Sequence, residues 1–100
     1  MKDRWSRLLA ALSEVRDMLR HTQHQMIPVA VGGDAEDITG PWEACRERLE
    51  EVLLPTEEHG RLMRGVENAK TYHEQGESGA ALWEVVQAIR RARLLSRLYS

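Results

Sequence analysis

The chain contains no phenylalanine and a single cysteine, Cys45. One cysteine excludes an intrachain disulfide, so no covalent staple holds the fold. A lone thiol fits a reducing compartment, and a cytoplasmic location is expected. Without Phe, bulky core contacts must come from three Trp, two Tyr, four Met and the many Leu and Val residues. No segment approaches the roughly 18 apolar residues of a membrane span. The first twenty residues carry charge throughout and no apolar run of signal-peptide length, so no membrane partner is expected. Catalytic signatures are missing too. Gly32-Gly33-Asp34 lacks the lysine and hydroxyl of a phosphate loop, and no Ser–His–Asp order or zinc-finger spacing occurs. No enzyme activity and no cofactor are expected. Lysine is scarce: arginine outnumbers it twelve to two, which points to a GC-rich coding genome rather than to a function.

What is present is charge that is balanced in total and uneven in place. The net charge is −2, too balanced to argue for nucleic acid. Residues 1–33 sum to +2, residues 34–58 to −7 and residues 59–100 to +3. An acidic middle thus separates two mildly basic ends. The C-terminal arginines Arg90, Arg91, Arg93 and Arg97 are expected to stabilise the end of their helix and to pair with that acidic middle within or between subunits. One hundred residues predict a single domain spanning 1–100. A chain this short buries about 60–70% of its unfolded surface, so an association partner would help it.

Apolar spacing predicts helices. Trp5, Leu8, Leu12, Val15 and Leu19 recur at three–four steps over about Asp3 to Gln25, with Leu9 and Met18 beside them and Asp3 as candidate N-cap. Pro28 and Gly32-Gly33 break the pattern, and residues 27–40 read as an extended, candidate functional loop. A second helix starts near Pro41 and carries Trp42, Cys45, Leu49 and Val52, with Leu53 and Leu54 added to its apolar side. Pro55 ends or kinks it. A third helix follows, with Thr56 as candidate cap, Glu57 and Glu58 in its first turn, and His59, Leu62, Val66, Ala69 and His73 along its seam. Gly60 and Gly65 each weaken it by about 1 kcal/mol relative to Ala. Gly76 reads as its stop and Ser78 as the next N-cap. The last helix sets Ala81, Val85, Ala88, Ala92, Leu95 and Tyr99 on one seam. The expectation is an all-α fold: a small four-helix bundle, antiparallel up-down, or three long helices with the middle one kinked at Pro55.

Several constellations could carry chemistry. Asp17, His21 and His24 fall at i, i+4 and i+7 and could hold a divalent ion. They lie opposite Leu8, Leu12, Val15 and Leu19, and the Glu-x-x-His pair of di-iron bundles is absent, so an exposed polar helix end is the stronger reading. His59 and His73 are about 21 Å apart along their helix and cannot share an ion. They are expected to be partly buried, with hydrogen-bond partners. Cys45 sits among apolar residues beside Glu43 and Glu47, a setting for a small hydrophobe and not for a nucleophile.

Residues 62–93 carry Ala69, Tyr72, Gly76, Ala81 and Ala88 near the small and aromatic positions of a tetratricopeptide unit, and they resemble one such unit with Gly65 at its early large position. The resemblance implies a helical hairpin packed through small residues. The helix–loop–helix layout of residues 1–75 is similar to small secreted helical hairpins with a Trp-x-Gly turn, although Glu43 and Ala44 follow Trp42 here.

The last helix also has a second apolar side, with Trp83, Val86 and Leu94 beside Arg90, Arg93 and Arg97. One monomer core is not expected to cover both sides. The leading expectation is a non-enzymatic helical protein–protein interaction module that self-associates or takes another protein as partner, through Trp83, Val86, Arg90, Arg93, Leu94 and Arg97. The alternatives are a small regulator touching nucleic acid through Arg90, Arg93 and Arg97, and a metal-binding bundle using Asp17, His21 and His24.

Overall fold

The computed structural model describes residues 2–24 and 39–99, with side chains described over 4–21 and 40–99. Among these residues lie four helices: α1 (Lys2–His24), α2 (Thr39–Glu51), α3 (Thr56–Glu74) and α4 (Ser78–Tyr99). The expected loop over 27–40 falls outside the described residues except for Thr39 and Gly40, which open α2. Pro41 stands in the first turn of α2, where its missing N–H has no intrahelical acceptor to lose.

Neighbouring helices pack as α1 on α2, α2 on α3, α3 on α4 and α4 on α1, closing a ring around one core. Polar contacts fix the directions. Arg4 Nη1, at the start of α1, donates to the Glu51 carbonyl at the end of α2, 3.3 Å away. His59 meets Glu50 and Arg46 meets Glu67, so α2 and α3 run opposite ways. Glu58, early in α3, meets Arg91, late in α4. The result is an up-down-up-down four-helix bundle, a rod measuring 44 × 22 × 18 Å. The alternative of three helices with a kinked middle one does not occur.

The core follows the predicted seams. Trp5, Leu8, Leu12, Val15 and Leu19 of α1 are buried, as are Trp42, Cys45 and Leu49 of α2 and the following Val52. Leu62, Val66 and Ala69 come from α3, and Ala81, Val85, Ala88, Ala92 and Leu95 from α4. Each buried Leu or Val stabilises the fold by roughly 1.5–3 kcal/mol relative to exposure, before the entropy of ordering it. The alanines of α4 let two flanking helices approach it closely.

Helix ends depart from the sequence reading in ways that have local causes. Leu53 is 78% exposed rather than part of the apolar side, because α2 stops at Glu51 and the chain leaves helical register ahead of Pro55. The cap of α3 is Pro55 and not Thr56: the Pro55 carbonyl accepts the His59 N–H at 3.0 Å, and no side chain caps that end. Likewise the Ala81 N–H donates to the Glu77 carbonyl at 3.0 Å, so helical bonding begins before Ser78. The stop at Gly76 is as expected. Its φ of +80° is left-handed backbone, and the Glu77 N–H reaches the Tyr72 carbonyl at 2.8 Å while the Gly76 N–H reaches that of His73 at 3.0 Å. That pair of bonds is a Schellman motif. Tyr99 leaves the α4 seam and is exposed, because Arg91 is level with Glu58 and α3 offers only two further residues alongside the last turns.

Candidate docking surface

A helix advances 100° per residue, so the inner seam of α4 determines its outer face. With Ala81, Val85, Ala88, Ala92 and Leu95 inward, Trp83, Arg90, Leu94 and Arg97 must point away from the bundle. They do: Trp83 is 62% exposed, Leu94 is 47% exposed, and Arg90, Arg93 and Arg97 are all exposed. Val86 sits at the edge of this face and is half-buried. Of the exposed large apolar side chains among the described residues, Trp83, Leu94, Leu98 and Tyr99 belong to α4, and only Leu53 and Tyr72 do not.

The electrostatics of this face are one-sided. Among the described residues Arg90, Arg93 and Arg97 make no ion pair. The one carboxylate of α4, Glu84, lies on the α3 side, in a shallow groove with Arg61, Gly65, Gln87 and Arg91. Arg91 is the arginine that meets the acidic middle of the chain. Its Nη2 donates to both carboxylate oxygens of Glu58, at 2.8 and 2.9 Å. Two contributors escaped the sequence reading. Leu98, 66% exposed, continues the outer stripe one turn beyond Leu94, and an i+4 step from Leu94 would have found it. Ile89 joins the core beside the Ala-rich seam.

The other predicted positions fall elsewhere. Asp17 and His21 are exposed on α1, along an open depression with Ser13 and Glu14. Asp17 pairs with Arg16 at 3.2 Å, and the His24 side chain lies outside the described ones. Among the described residues no three His, Cys, Asp or Glu side chains gather as a metal site. The structure therefore brings Trp83, Arg90, Leu94 and Arg97 onto one face and leaves Asp17 and His21 on another helix, across the bundle's surface.

Three interior groups have perturbed surroundings. Cys45 is fully buried, and its thiol is pushed up to about 12 by burial and by the negative charge of Glu14. Such a group is a protonated packing element at neutral pH. His73 is half-buried and held below the ordinary histidine value by desolvation, against a smaller opposing effect of Glu74. It departs from the expectation of a hydrogen-bonded histidine: its Nδ1 has no partner among the described residues, and its ring tilts 47° against Trp42 with centroids 6.4 Å apart. The buried Trp42 Nε1 also lacks a partner among them. His59 is half-buried as expected, but its Nε2 lies 3.8 Å from Glu50 Oε2, too far for the expected hydrogen bond and an ion pair only when the imidazole is protonated.

No helix among the described residues is long and apolar enough to cross a membrane. Comparisons with protein-family models, curated proteins and solved structures gave no match to this chain.

Proposed function

We propose that this bundle is a non-enzymatic docking module whose binding surface is the outer face of α4. The observation that supports it is Trp83, 62% exposed on a helix whose opposite seam is already fully covered. An exposed Trp in line with Leu94 and Leu98 gives the fold nothing, whereas Trp and Arg are the side chains enriched at interface hot spots. The sealed thiol of Cys45 favours a structural over a nucleophilic role for the chain's one cysteine. Two measurements test the reading. A benzophenone crosslinker placed at position 83 should give discrete heavier adducts in a cell extract, and the same label at exposed Glu43 should not. Sedimentation velocity from micromolar to hundred-micromolar protein then shows whether the partner is a second copy: mass rising with concentration in the parent chain, and not in Trp83→Ala. Identical smears at both label positions, together with a concentration-independent monomer, would remove the reading.

A second reading draws on the same free cations: a small regulator that contacts nucleic-acid phosphates through Arg90, Arg93 and Arg97. Leu94 and Leu98 beside Arg90, Arg93 and Arg97 count against it, since aliphatic side chains add nothing to phosphate contacts. Trp83, an aromatic able to stack on a base, lies two turns from the nearest of those arginines. Gel shifts at low salt decide it, because phosphate contacts are strongest there. The metal reading of Asp17, His21 and His24 is tested by elemental analysis of untagged protein.

A further inference from the structure

We infer that the occupant of the α4 outer face is an amphipathic helix from a different protein, with an apolar stripe flanked by Asp or Glu. The inference rests on the docking reading above and names the chemistry of the partner. The face presents apolar side chains at 83, 94 and 98, with arginines at 90, 93 and 97 between and beside them. Those arginines meet no carboxylate among the described residues, and neither do Arg4, Arg20, Arg61 and Arg64. Only at 90, 93 and 97, among the described residues, do such arginines share a helix face with more than one exposed large apolar side chain. The face is thus an apolar ridge with a cationic border around Leu94 and Leu98, while Trp83 stands two turns before the first of the three arginines. An apolar partner surface bordered by carboxylates would cover the ridge and neutralise the border together.

A second copy of this chain fits less well. An antiparallel two-fold pairing of α4 with α4, centred on Arg90, would set Trp83 opposite Arg97 and Val86 opposite Leu94. It would also set Arg90 on Arg90 and bring the other arginines of both copies into the same strip, with no negative charge to separate them. Like charges so placed disfavour the complex. A head-to-tail contact with the acidic residues of α2 gains Glu43, Glu47 and Glu50, all exposed. Yet the only exposed large apolar side chain near these carboxylates in sequence, among the described residues, is Leu53, just past the end of α2. One leucine does not cover Trp83 and Leu94, which stand about 16 Å apart along α4.

The test uses the full chain and three fluorescein-labelled peptide probes in an anisotropy titration. Each is a roughly 18-residue helix with leucines at i, i+4, i+7 and i+11. They differ in their flanking positions, which are all Glu, all Gln or all Lys. At low salt the Glu peptide should bind about tenfold or more tightly than the Gln peptide, and the Lys peptide least. Rising salt should erase most of that margin. The triple variant R90E/R93E/R97E should reverse the order of the Glu and Lys peptides. These residues are exposed, so the variant should stay folded, with a circular dichroism melt lowered only modestly by acidic side chains near the helix C-terminus, and the melt is recorded alongside. Equal binding of the Glu and Gln peptides, with both lost in Trp83→Ala, overturns the acidic partner while the docking surface stands. Self-association that depends on Trp83 makes a second copy the occupant and also overturns it. Displacement of the Glu peptide by equimolar duplex DNA assigns the arginines to phosphate and overturns the acidic partner as well. Failure of the Glu peptide to bind overturns the inference, and the crosslinking and sedimentation results then decide the docking surface separately.

Discussion

Arg90 and Arg91 are neighbours in the chain and opposites in the structure. Arg91 reaches across to α3 and holds both oxygens of Glu58, whereas Arg90 points away from every helix and meets no carboxylate among the described residues. Leu94 and Leu95 repeat the contrast one turn later: one is 47% exposed, the other 1%. A single 100° step separates the members of each pair. Residue type therefore does not decide whether a side chain of α4 serves the fold; angular position relative to α1 and α3 does. What lies outside both neighbours packs against neither, and beyond the favourable placing of Arg97 in the last turn, a concentration of Trp, Leu and Arg there is the chain's best clue to an external role.

The leucine pair offers the largest break. Leu95→Ala should cost about 2–5 kcal/mol, because removing the buried side chain forfeits transfer energy and leaves a cavity among tightly packed neighbours. Leu94→Ala should stay within about 0.5 kcal/mol. Urea unfolding of both variants checks this. A comparable loss from the two substitutions would mean that the outer face is packed in solution, and the distinction between the faces of α4 would collapse.

That distinction was largely legible in the sequence, because it depends on helical period alone. The seams of α1 and α4 needed only the spacing of their apolar residues, and the outward-facing residues of α4 followed as the remainder. Residues governed by chain ends were harder. Leu53 looks like a continuation of Leu49 and Val52 until the helix is seen to stop at Glu51. Tyr99 keeps perfect seam spacing and still faces solvent, since spacing carries no information on where neighbouring helices end. Caps were misplaced by one residue at Thr56 and Ser78, because the preceding carbonyls of Pro55 and Glu77 already accept helical bonds. The general idea of arginine pairing with the acidic middle was readable from charge blocks. Which arginine does so was not, because that requires the orientation of α3 against α4.

Titration separates interior from surface in two directions. Burial raises the Cys45 thiol from 9.0 to about 12, so the unfolded chain loses that proton first. Stability should be fully present below pH 9 and decline as pH rises toward 12, by roughly 1.4 kcal/mol per unit across that window. Cys45→Ala should flatten this part of the profile, and native Cys45 should resist a thiol reagent until denaturant is added. His73 works at the acid side. Its folded value is lowered, so the unfolded chain binds the proton more readily. Stability should fall as pH drops below 6.5, toward the lower folded value, and His73→Gln should lessen that slope. An unchanged slope in the variant would show that the ring is already solvated beside Trp42.

On α3, Gly65 offers a gain instead of a loss. An added Cβ there meets nothing within 4 Å. Its glycine is thus not required by packing, and Gly65→Ala should raise stability by about 0.5–1 kcal/mol through helix propensity. Loss of stability would show that the groove between α3 and α4 is narrower in solution.

The arginine pair gives the smallest effect and the sharpest comparison. Arg91→Ala removes two short charge-assisted bonds to Glu58, but both side chains retain solvent contact, at 36% and 23% exposure. Screening limits such a pair to about 0.2–1 kcal/mol. The Arg91 Nε is moreover buried without a hydrogen-bond partner among the described residues, a cost that the substitution relieves. The net loss should therefore sit at the low end of that range and shrink further in high salt. Arg90→Ala should change stability by less than can be measured, at any salt. The decisive quantity is the double-mutant cycle with Glu58→Ala: coupling for Arg91 and none for Arg90. Coupling between Glu58 and Arg90 would mean that the outer arginines fold back onto α3, leaving no free cationic border for a partner to meet.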